Sequence, residues 1–485
     1  MVQIIGRKGV NIPPPMAHQT TSCRKAFGQE AFAYFCEPGT GKSRMVIDDL
    51  MQHWQHFKLE ACVIVAPKGV YHLWEDDELP KHCPLEYHVI KYESGRFEKC
   101  DNAIKEYLLR PSRLPLFVLM NIEAFRDEKP VAMLAKHFKK NRAAIVIDES
   151  SKIKGHKSNT TKNLIKAAKF MVMRRIATGT PTPNNPMDIF SQMAFLDKDI
   201  IGYPTYFHMQ RMHCIMRTTF MGGRSFNQIV DYKNLKMLYD NMDPYCIRLT
   251  KAECLDLPDK VRIKHPFTLP PLAQAAYDTM KKDLILEFEA TGQVSVGDTG
   301  LTSMLHLHQI ANGFVSTEDK SRVFIHDEKI KAMMALIDTL PEGEPVVIWS
   351  HFVHCIQAAE AALVKVFGRD AVASYYGATS SEERRAISKD FIEGKIRFMV
   401  ANPSTAGMGL TWVHCKYVMY LSNSFKLEDK IQSEDRCHRV GQVNKVTYWD
   451  IVASGTIDEK VSEALARKES LAKVLMTGEG IEKYI

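Results

Sequence analysis

The sequence predicts an α/β protein built from two parallel β-sheets that are flanked by helices. Short runs of β-branched and apolar residues recur along the chain, with helical stretches between them. Runs of this kind are typical of strands that are buried on both faces in βαβ units. The runs fall into two groups, one in each half of the chain, and 485 residues are too many for a single hydrophobic core.

The predicted strands define the domain organisation. In the first half they cover residues 32–36, 62–66, 116–120, 143–147 and 175–178. In the second half they cover residues 346–350, 397–401, 417–421 and 446–452. Residues 199–326 show few clear strands, so we predict a first lobe over 1–262, a connecting helical segment over 263–325 and a second lobe over 326–485.

Composition excludes several classes of protein. The chain is 45% hydrophobic and 25% charged, with a mean hydropathy of -0.22, which is ordinary for a globular protein. Eleven cysteines are scattered without a CxxC pair, which favours reduced thiols in a cytoplasm and gives no support to a zinc site. No apolar run is long enough to span a membrane. The net charge of +7 is compatible with a phosphate-rich partner.

A glycine turn between the first strand and a helix predicts a nucleotide-binding loop. Residues 36–43 are Cys-Glu-Pro-Gly-Thr-Gly-Lys-Ser. Their glycines let backbone N–H groups close around phosphates at the helix N-terminus. Cys36 stands where the strict pattern has glycine, so an ordinary turn is the alternative. The strand–turn–helix context favours the phosphate loop, and the predicted cofactor-binding residues here are Gly39, Thr40, Gly41, Lys42 and Ser43.

Two acids at the end of a buried strand predict a second part of the same site. Asp148 and Glu149 directly follow the run 143–147, where ligands bind in open parallel sheets. Asp148 and the Ser43 hydroxyl would hold Mg²⁺, Lys42 would reach the β- and γ-phosphates, and Glu149 would orient the attacking water. An Asp-Glu pair alone is more often a helix cap. Together with an upstream phosphate loop, it indicates catalysis.

Further motifs follow in a fixed order along the chain. They are His18–Gln19, residues 63–68 with Trp74, and the stretches 120–124, 177–185, 248–251, 307–312, 346–352, 376–379, 405–410 and 432–442. With the two nucleotide motifs, this ordered set resembles helicase superfamily two. Within it, the chain is most similar to the Swi/Snf-type ATP-dependent DNA translocases, in a compact bacterial or phage-like branch.

The resemblance implies two tandem RecA-like domains with the ATP site in the cleft between them. It implies that Gln19 contacts adenine and that Gly409 lies in a phosphate-side loop. Gln432, Arg436 and Arg439 would contribute to catalysis from the second lobe. Because Arg436 and Arg439 are three residues apart, we predict that they share one face of a helix. A basic surface helix is the alternative for these two arginines.

The same resemblance implies contacts to nucleic acid from both lobes, by Pro67, Lys68, Asn121, Thr180, Ser350, His351 and Thr379. Three departures from the family pattern are present. Ser150 and Ser151 replace the usual Ala-His after the acids, Thr411 replaces asparagine and Phe425 replaces tryptophan. The first departure affects how the acidic loop would communicate with the Thr-Gly-Thr motif at 178–180.

The functional hypothesis is an ATP-hydrolysing motor that tracks along nucleic acid, double-stranded DNA in preference to RNA, in a bacterial or phage-infected cytoplasm. A protein partner is compatible with the sequence but is not identified by it. The alternatives are a helicase that separates or anneals single strands of DNA or RNA, an ATP-switched binding protein, and the motor subunit of a nuclease or remodelling complex. Residues 209–224 are basic and aromatic, and we predict a solvated helical face here in preference to a protruding wedge.

Overall fold

The computed structural model describes residues 12–57, 59–93, 95–109, 114–221, 224–291, 299–317, 321–377, 379–406 and 410–484. The chain divides into two compact units. The first comprises Met1–Ile215, Asp231–Asp256 and Ser470–Ile485, and the second comprises Met216–Val230 and Leu257–Glu469. Gly409 lies outside the described residues. In the described part of the chain, no helix has the length and apolar character needed to cross a membrane.

The first unit contains a parallel sheet. The first nine strands along the chain are β1 (Ala31–Cys36), β2 (Ala61–Ala66), β3 (His88–Lys91), β4 (Leu116–Asn121), β5 (Ala143–Asp148), β6 (Met173–Thr178), β7 (Cys214–Met221), β8 (Arg224–Tyr232) and β9 (Cys246–Leu249), of which β7 and β8 lie mostly in the second unit. Seven of them form one sheet in the order β3-β4-β2-β5-β6-β1-β9, with parallel pairing throughout. Strands β1, β2 and β4 are buried along their whole length, so helices cover both faces.

The helices of this part of the chain follow the strands. They are α1 (Ala17–Ala26), α2 (Lys42–Phe57), α3 (Leu79–His82), α4 (Phe97–Leu109), α5 (Lys129–Phe138), α6 (Asn159–Ala168), α7 (Ile189–Leu196), α8 (Tyr206–His213), α9 (Leu235–Met242) and α10 (Lys251–Cys254). A π-helical turn, Trp74–Glu78, precedes α3. A main core cluster forms where α2 and its neighbours pack on alternate residues of β1, namely Phe32, Tyr34 and Cys36.

The second unit contains a second parallel sheet. Its strands are β10 (Lys260–Phe267), β11 (Phe314–Ser316), β12 (Arg322–Phe324), β13 (Val346–Ser350), β14 (Val372–Tyr375), β15 (Phe398–Ala401), β16 (Tyr417–Ser422) and β17 (Val446–Ala453). Six of them form a sheet in the order β10-β17-β16-β13-β15-β14, again all parallel. The short pair β11 and β12 is separate and antiparallel. Strand β10 runs across residue 262, where we predicted the end of the first lobe.

Helices also cover both faces of the second sheet. They are α11 (Pro271–Thr291), α12 (Thr299–Ala311), α13 (Glu328–Asp338), α14 (Val353–Phe367), α15 (Ser381–Ile392), α16 (Pro403–Ala406), α17 (Leu427–Glu434) and α18 (Ile457–Thr477). Alternate residues of β13 enter two core clusters, Val346 and Ile348 in one and Val347 and Trp349 in the other. Two parallel sheets flanked by helices confirm the predicted fold class.

The region 199–326 differs from the prediction, because it contains six strands. The expected helical face over 209–224 is wrong: α8 ends at His213, and β7 and β8 then pair with each other in a sheet of their own. The sequence supplies the reason. β-Branched residues, namely Ile215, Thr218, Thr219, Ile229 and Val230, recur over this stretch and favour strands over a helix. The prediction missed these strands because they are exposed and lack a continuous apolar run.

Candidate active site

The predicted site residues of the first unit meet at one edge of its sheet. Parallel strands place their carboxyl ends together, and β6 pairs with β1 on one side and β5 on the other. The loop after Cys36, the acid Asp148 and the Thr-Gly-Thr loop after Thr178 therefore leave the same edge from three neighbouring strands.

The phosphate loop has the backbone that the sequence predicts. Gly39 and Gly41 both have a φ of 85°, a conformation that residues with a Cβ rarely adopt. Helix α2 begins at Lys42, whose Nζ donates to the backbone carbonyl of Cys36 at 3.0 Å. Cys36 is the last residue of a fully buried strand, so its side chain lies in the core rather than in the loop.

Helix α1 packs against this loop through Gln19. Its Nε2 donates to the Thr40 carbonyl at 3.4 Å, and its Oε1 accepts from the backbone N–H of Met16 at 2.9 Å. A Cβ on Gly41 would lie 2.2 Å from Gln19 Nε2, so a larger residue here would displace the Gln19 amide. The structure thus brings the predicted adenine-contacting glutamine and the phosphate loop together.

The two acids differ in environment. Asp148 accepts hydrogen bonds from Trp74 Nε1 at 3.1 Å and from the backbone N–H of Glu149 at 3.0 Å. Burial raises the pKa of Asp148, and Lys42 and the Trp74 N–H oppose that shift by stabilising the carboxylate. Glu149 has a φ of 54°, and its Oε2 accepts from Thr178 Oγ1 at 3.4 Å. A left-handed backbone conformation costs a glutamate free energy. In this conformation the Glu149 carboxylate contacts Thr178, the last residue of β6.

The donor set of this edge fits a magnesium ion. The carboxylate of Asp148 and the hydroxyl of Ser43 are oxygen ligands, which Mg²⁺ prefers. Glu78 connects the two, because its side chain hydrogen-bonds the Ser43 hydroxyl and lies close enough to Asp148 for that charge to act on it.

Glu78 and Trp74 are functional candidates that the motif analysis missed or left without a role. Both lie on the π-helical turn, a feature that occurs often at functional sites. Burial raises the pKa of Glu78 to about 7, and Asp148 and Asp77 add to the shift, while the hydrogen bond with Ser43 opposes it. The run of four acidic residues after Trp74 was the signal for this third carboxyl group.

The Thr-Gly-Thr loop touches both the phosphate loop and the acids. A Cβ on Gly179 would lie 2.6 Å from Pro38 Cδ, so the two loops are in close contact. The Thr178 hydroxyl, which donates to Glu149, also accepts from the Thr180 N–H at 3.2 Å.

A second connection passes through Gln192, which is fully buried on α7. Ser150 Oγ donates to Gln192 Oε1 at 2.7 Å, and Gln192 Nε2 donates to the carbonyl of Pro181 at 2.6 Å. In this chain, the serine after the acids is therefore hydrogen-bonded through Gln192 to the loop that follows β6. The motif analysis did not select Gln192.

The arginines of the second unit do not share a helical face, so that prediction is wrong. Helix α17 ends at Glu434, and the following residues form turns. Arg436 is buried, and its Nη1 and Nε donate to the carbonyls of Leu410 at 2.6 Å and Gln432 at 3.0 Å. Arg439 is half-buried, and its Nη1 donates to Thr411 Oγ1 at 3.0 Å. After Glu434 the backbone N–H groups of Arg436 and Cys437 bond three residues back, and the Arg436 carbonyl accepts from Trp412 N–H, which is distant in the chain.

Glu434 anchors this arginine-bearing turn to β10. Its Oε2 contacts Lys260 Nζ at 2.8 Å and Arg262 Nη2 at 2.9 Å. Burial alone would raise the pKa of Glu434, but Lys260 and Arg262 outweigh it and hold the pKa at about 2. His438 Nε2 lies 2.7 Å from the carbonyl of Pro258, just before the same strand. Residues 434–438 are thus attached to the strand that opens the second unit.

The predicted nucleic-acid contacts of the first unit lie on adjacent loops. The backbone N–H of Lys68 donates to Glu123 at 3.1 Å, and the register pairs Ala66 with Asn121. Lys68 is exposed, whereas Pro67, Asn121 and Thr180 are buried. Asn121 caps the turn after β4 by accepting from Ala124 N–H at 2.8 Å.

In the second unit, the predicted contacts follow β13 and β14. Ser350 is fully buried and its Oγ lies 2.9 Å from Ser422 Oγ. His351 is half-buried, and its N–H donates to the same hydroxyl at 2.9 Å. Thr379 Oγ1 accepts from Tyr376 N–H at 3.2 Å. These side chains shape the loops at the carboxyl edge of the second sheet.

Comparisons with known proteins agree with this arrangement. The SNF2-related domain family matches residues 35–314, and the helicase conserved C-terminal domain matches residues 328–441. The DNA annealing helicase and endonuclease ZRANB3 of Mus musculus is 23% identical over 454 residues, which are 91% of this chain and 39% of that protein. The uncharacterized ATP-dependent helicase MG018 of Mycoplasma genitalium is 24% identical over 442 residues, which are 90% of this chain and 39% of that protein.

A solved structure, the Sulfolobus solfataricus SWI2/SNF2 ATPase core in complex with dsDNA, is 20% identical with a TM-score of 0.41, and the match covers 100% of this chain and 99% of that one. The chain spans about 39% of the length of the curated relatives named above. The SNF2-related domain match covers more than half of the chain. This protein therefore belongs to the SNF2-related family.

Proposed function

We propose that this chain is an ATP-driven motor that hydrolyses ATP to ADP and phosphate while it tracks along double-stranded DNA. One observation carries the proposal: the phosphate loop, the acid pair and the Thr-Gly-Thr loop are in contact at one sheet edge. Gly179 abuts Pro38, and the Thr178 hydroxyl donates to Glu149. A change at the nucleotide would therefore reach the loop that follows β6 through direct contacts.

Each side chain has a distinct role in this proposal. Lys42, whose ammonium has three donors and uses one of them on the Cys36 carbonyl, would bind the phosphates with the others. Glu149 would orient the attacking water and accept its proton. Asp148 and Ser43 would hold Mg²⁺, which, when bound, neutralises charge on the phosphate oxygens. Arg439, with its guanidinium half-exposed beside Thr411, and Arg436 would stabilise the charge that develops in phosphoryl transfer.

The relatives support the DNA partner. Two relatives are named as a DNA annealing helicase and endonuclease and as an ATP-dependent helicase. Contacts to phosphate would make binding independent of sequence and sensitive to salt. The described cysteines are free thiols, which supports our proposal of a cytoplasmic site of action in a bacterial or phage-infected cell.

A translocation assay tests the motor directly. We expect the protein, with ATP, to displace the third strand of a triplex from duplex DNA, because a motor that moves along a duplex removes what lies in its path. The variant Glu149→Gln keeps the phosphate loop, so it should bind ATP and leave the triplex intact.

One observation favours the alternative of strand separation: the pair β7 and β8 forms a separate two-stranded sheet with exposed residues, including Arg217 and Asn227. Unwinding of a partial duplex without any triplex displacement would replace the translocase by a strand-separating helicase. If neither substrate responds to ATP, the motor proposal is wrong.

A further inference from the structure

A ring stack joins two distant stretches of the first unit. His156 follows the catalytic acids in the chain, and Tyr206 is the first residue of α8. Their ring centroids are 3.7 Å apart with an interplanar angle of 12°. Phe207 meets both rings edge-on, at 6.4 Å from His156 and 6.0 Å from Tyr206. The three rings form an aromatic platform, and Phe207 is its exposed member, with 61% of its surface accessible.

Both stretches that the stack joins lack acidic residues. Residues 150–187 contain eight lysines and arginines, and residues 200–230 contain three arginines, with no aspartate or glutamate in either range. Because the whole chain contains 57 aspartates and glutamates, their absence from both ranges is a local feature and does not reflect the overall composition. The stack therefore brings two positively charged segments together.

Three exposed cations accompany the platform: Lys157 and Lys162 act on His156, and Arg211 lies one helical turn after Phe207 on α8. Lys157 and Lys162 are close enough to His156 that, after burial, they are the next largest causes of its lowered pKa. Within the described part of the chain, none of the three forms an ion pair, whereas neighbouring Lys166 contacts Glu128 at 2.6 Å. Like charges held together without counter-charges cost free energy, and a bound polyanion would remove that cost.

The segment that leads from the catalytic acids to His156 is hydrogen-bonded to α7. Ser191 Oγ, on α7, donates to the carbonyl of Lys154 at 3.2 Å. The next residue of α7 is Gln192, which links Ser150 to the loop after β6. A ligand on the platform would thus contact His156, which follows Glu149 by seven residues in this segment.

We propose that this surface, made of His156, Tyr206, Phe207, Lys157, Lys162 and Arg211, binds an unpaired strand of nucleic acid. The three cations would contact consecutive phosphates, and the exposed ring of Phe207 would stack on a base. Stacking requires a base face that a duplex hides, so an unpaired strand is the occupant that uses both features. None of these residues belongs to the predicted contact set of the motor. The inference rests on the proposed function, since a motor must deliver the strand.

Two variants test the two features separately, using a fluorescent single-stranded DNA oligonucleotide and full-length protein. Phe207→Ala should raise the Kd by about 5- to 100-fold, which corresponds to the loss of one base stack. Phe207→Trp should bind as the wild type does. The triple variant Lys157→Ala, Lys162→Ala and Arg211→Ala should flatten the slope of log K against log salt by about 2, because three phosphate contacts are lost.

The controls distinguish the effect of this surface on binding from a general effect of net charge and from an effect on catalysis. A second triple variant replaces Lys136, Lys331 and Lys395, exposed lysines that each pair with a carboxylate. It removes the same charge and should leave the slope unchanged. Nucleic-acid-independent ATP turnover and the melting temperature should stay at wild-type values in all variants.

Three results would overturn the inference while leaving the motor intact. Phe207→Ala and the wild type could bind single-stranded DNA with the same Kd, or the two triple variants could show the same slope of log K against log salt. The third result is that the variants lose affinity for blunt duplex DNA alone. If the wild type binds no nucleic acid at all, the proposed function fails with it.

Discussion

Replacing Lys42 by alanine is expected to lower the rate of ATP hydrolysis by about 10²- to 10³-fold, the loss that accompanies removal of one positioned charge-stabilising group. The loop geometry should survive, because the positive φ angles of Gly39 and Gly41 and the contact with Gln19 do not involve the lysine. The measurement is steady-state phosphate release, with circular dichroism to check folding.

Lys136→Ala is the matched control for this experiment. Lys136 is an exposed lysine that pairs with Asp101 at 2.5 Å, and its removal should leave turnover within about twofold of wild type, as expected of surface pairs. A Lys42→Ala protein that hydrolyses ATP at the wild-type rate would mean that the glycine turn after β1 is not a phosphate loop.

Replacing Asp49 by alanine is expected to destabilise the first unit by about 3–5 kcal/mol, a large part of the stability of a typical domain. Asp49 Oδ2 contacts Arg175 Nε at 2.7 Å, and both side chains have 0% of their surface exposed. The arginine also donates to the carbonyl of Gln29 at 2.9 Å, so it cannot leave the core without breaking the packing of α1 and β6. Removal of the aspartate would leave a buried, uncompensated charge.

Chemical unfolding of the variant measures this loss, with Asp240→Ala as the control. Asp240 is exposed and pairs with Lys236 at 2.7 Å, so its replacement should cost less than about 1 kcal/mol. If Asp49→Ala and the wild type unfold at the same denaturant concentration, the ion pair of Asp49 and Arg175 contributes nothing to the free energy of unfolding.

The same pair predicts a dependence on pH. Burial alone would raise the pKa of Asp49, but Arg175 and His53 outweigh it and hold the pKa at about 2. Because the folded pKa lies below the ordinary aspartate value of about 4, the stabilisation is complete above that value and is lost as pH falls towards 2. The stability difference between wild type and Asp49→Ala should shrink over that interval.

The predictable part of the fold is the part that is buried on both faces. Strands such as β1, β2 and β13 are continuous apolar runs, and they occur where the sequence indicates. Strand β10 was missed because its residues are mostly exposed or half-buried, so it lacks an apolar run. Its place in the sheet depends on pairing with β17, which no local pattern encodes.

The candidate site divides in a similar way. The phosphate loop and the acid pair are local motifs that depend on glycine conformation and on strand ends, so the sequence predicts them. Gln192 and Glu78 act through neighbours that are distant in the chain, and only folding brings them to the site. The spacing of Arg436 and Arg439 fits a helix, but α17 ends at Glu434, and Arg436 is held by hydrogen bonds with Leu410 and Trp412, which are distant in the chain.

The central claim is that ATP hydrolysis at this site is coupled to DNA. The most direct measurement is steady-state ATP turnover of the purified protein, alone and with duplex DNA, single-stranded DNA or single-stranded RNA, and with Glu149→Gln as the inactive control. We expect duplex DNA to stimulate turnover strongly and Glu149→Gln to abolish it. Turnover that none of the three nucleic acids changes would contradict the account.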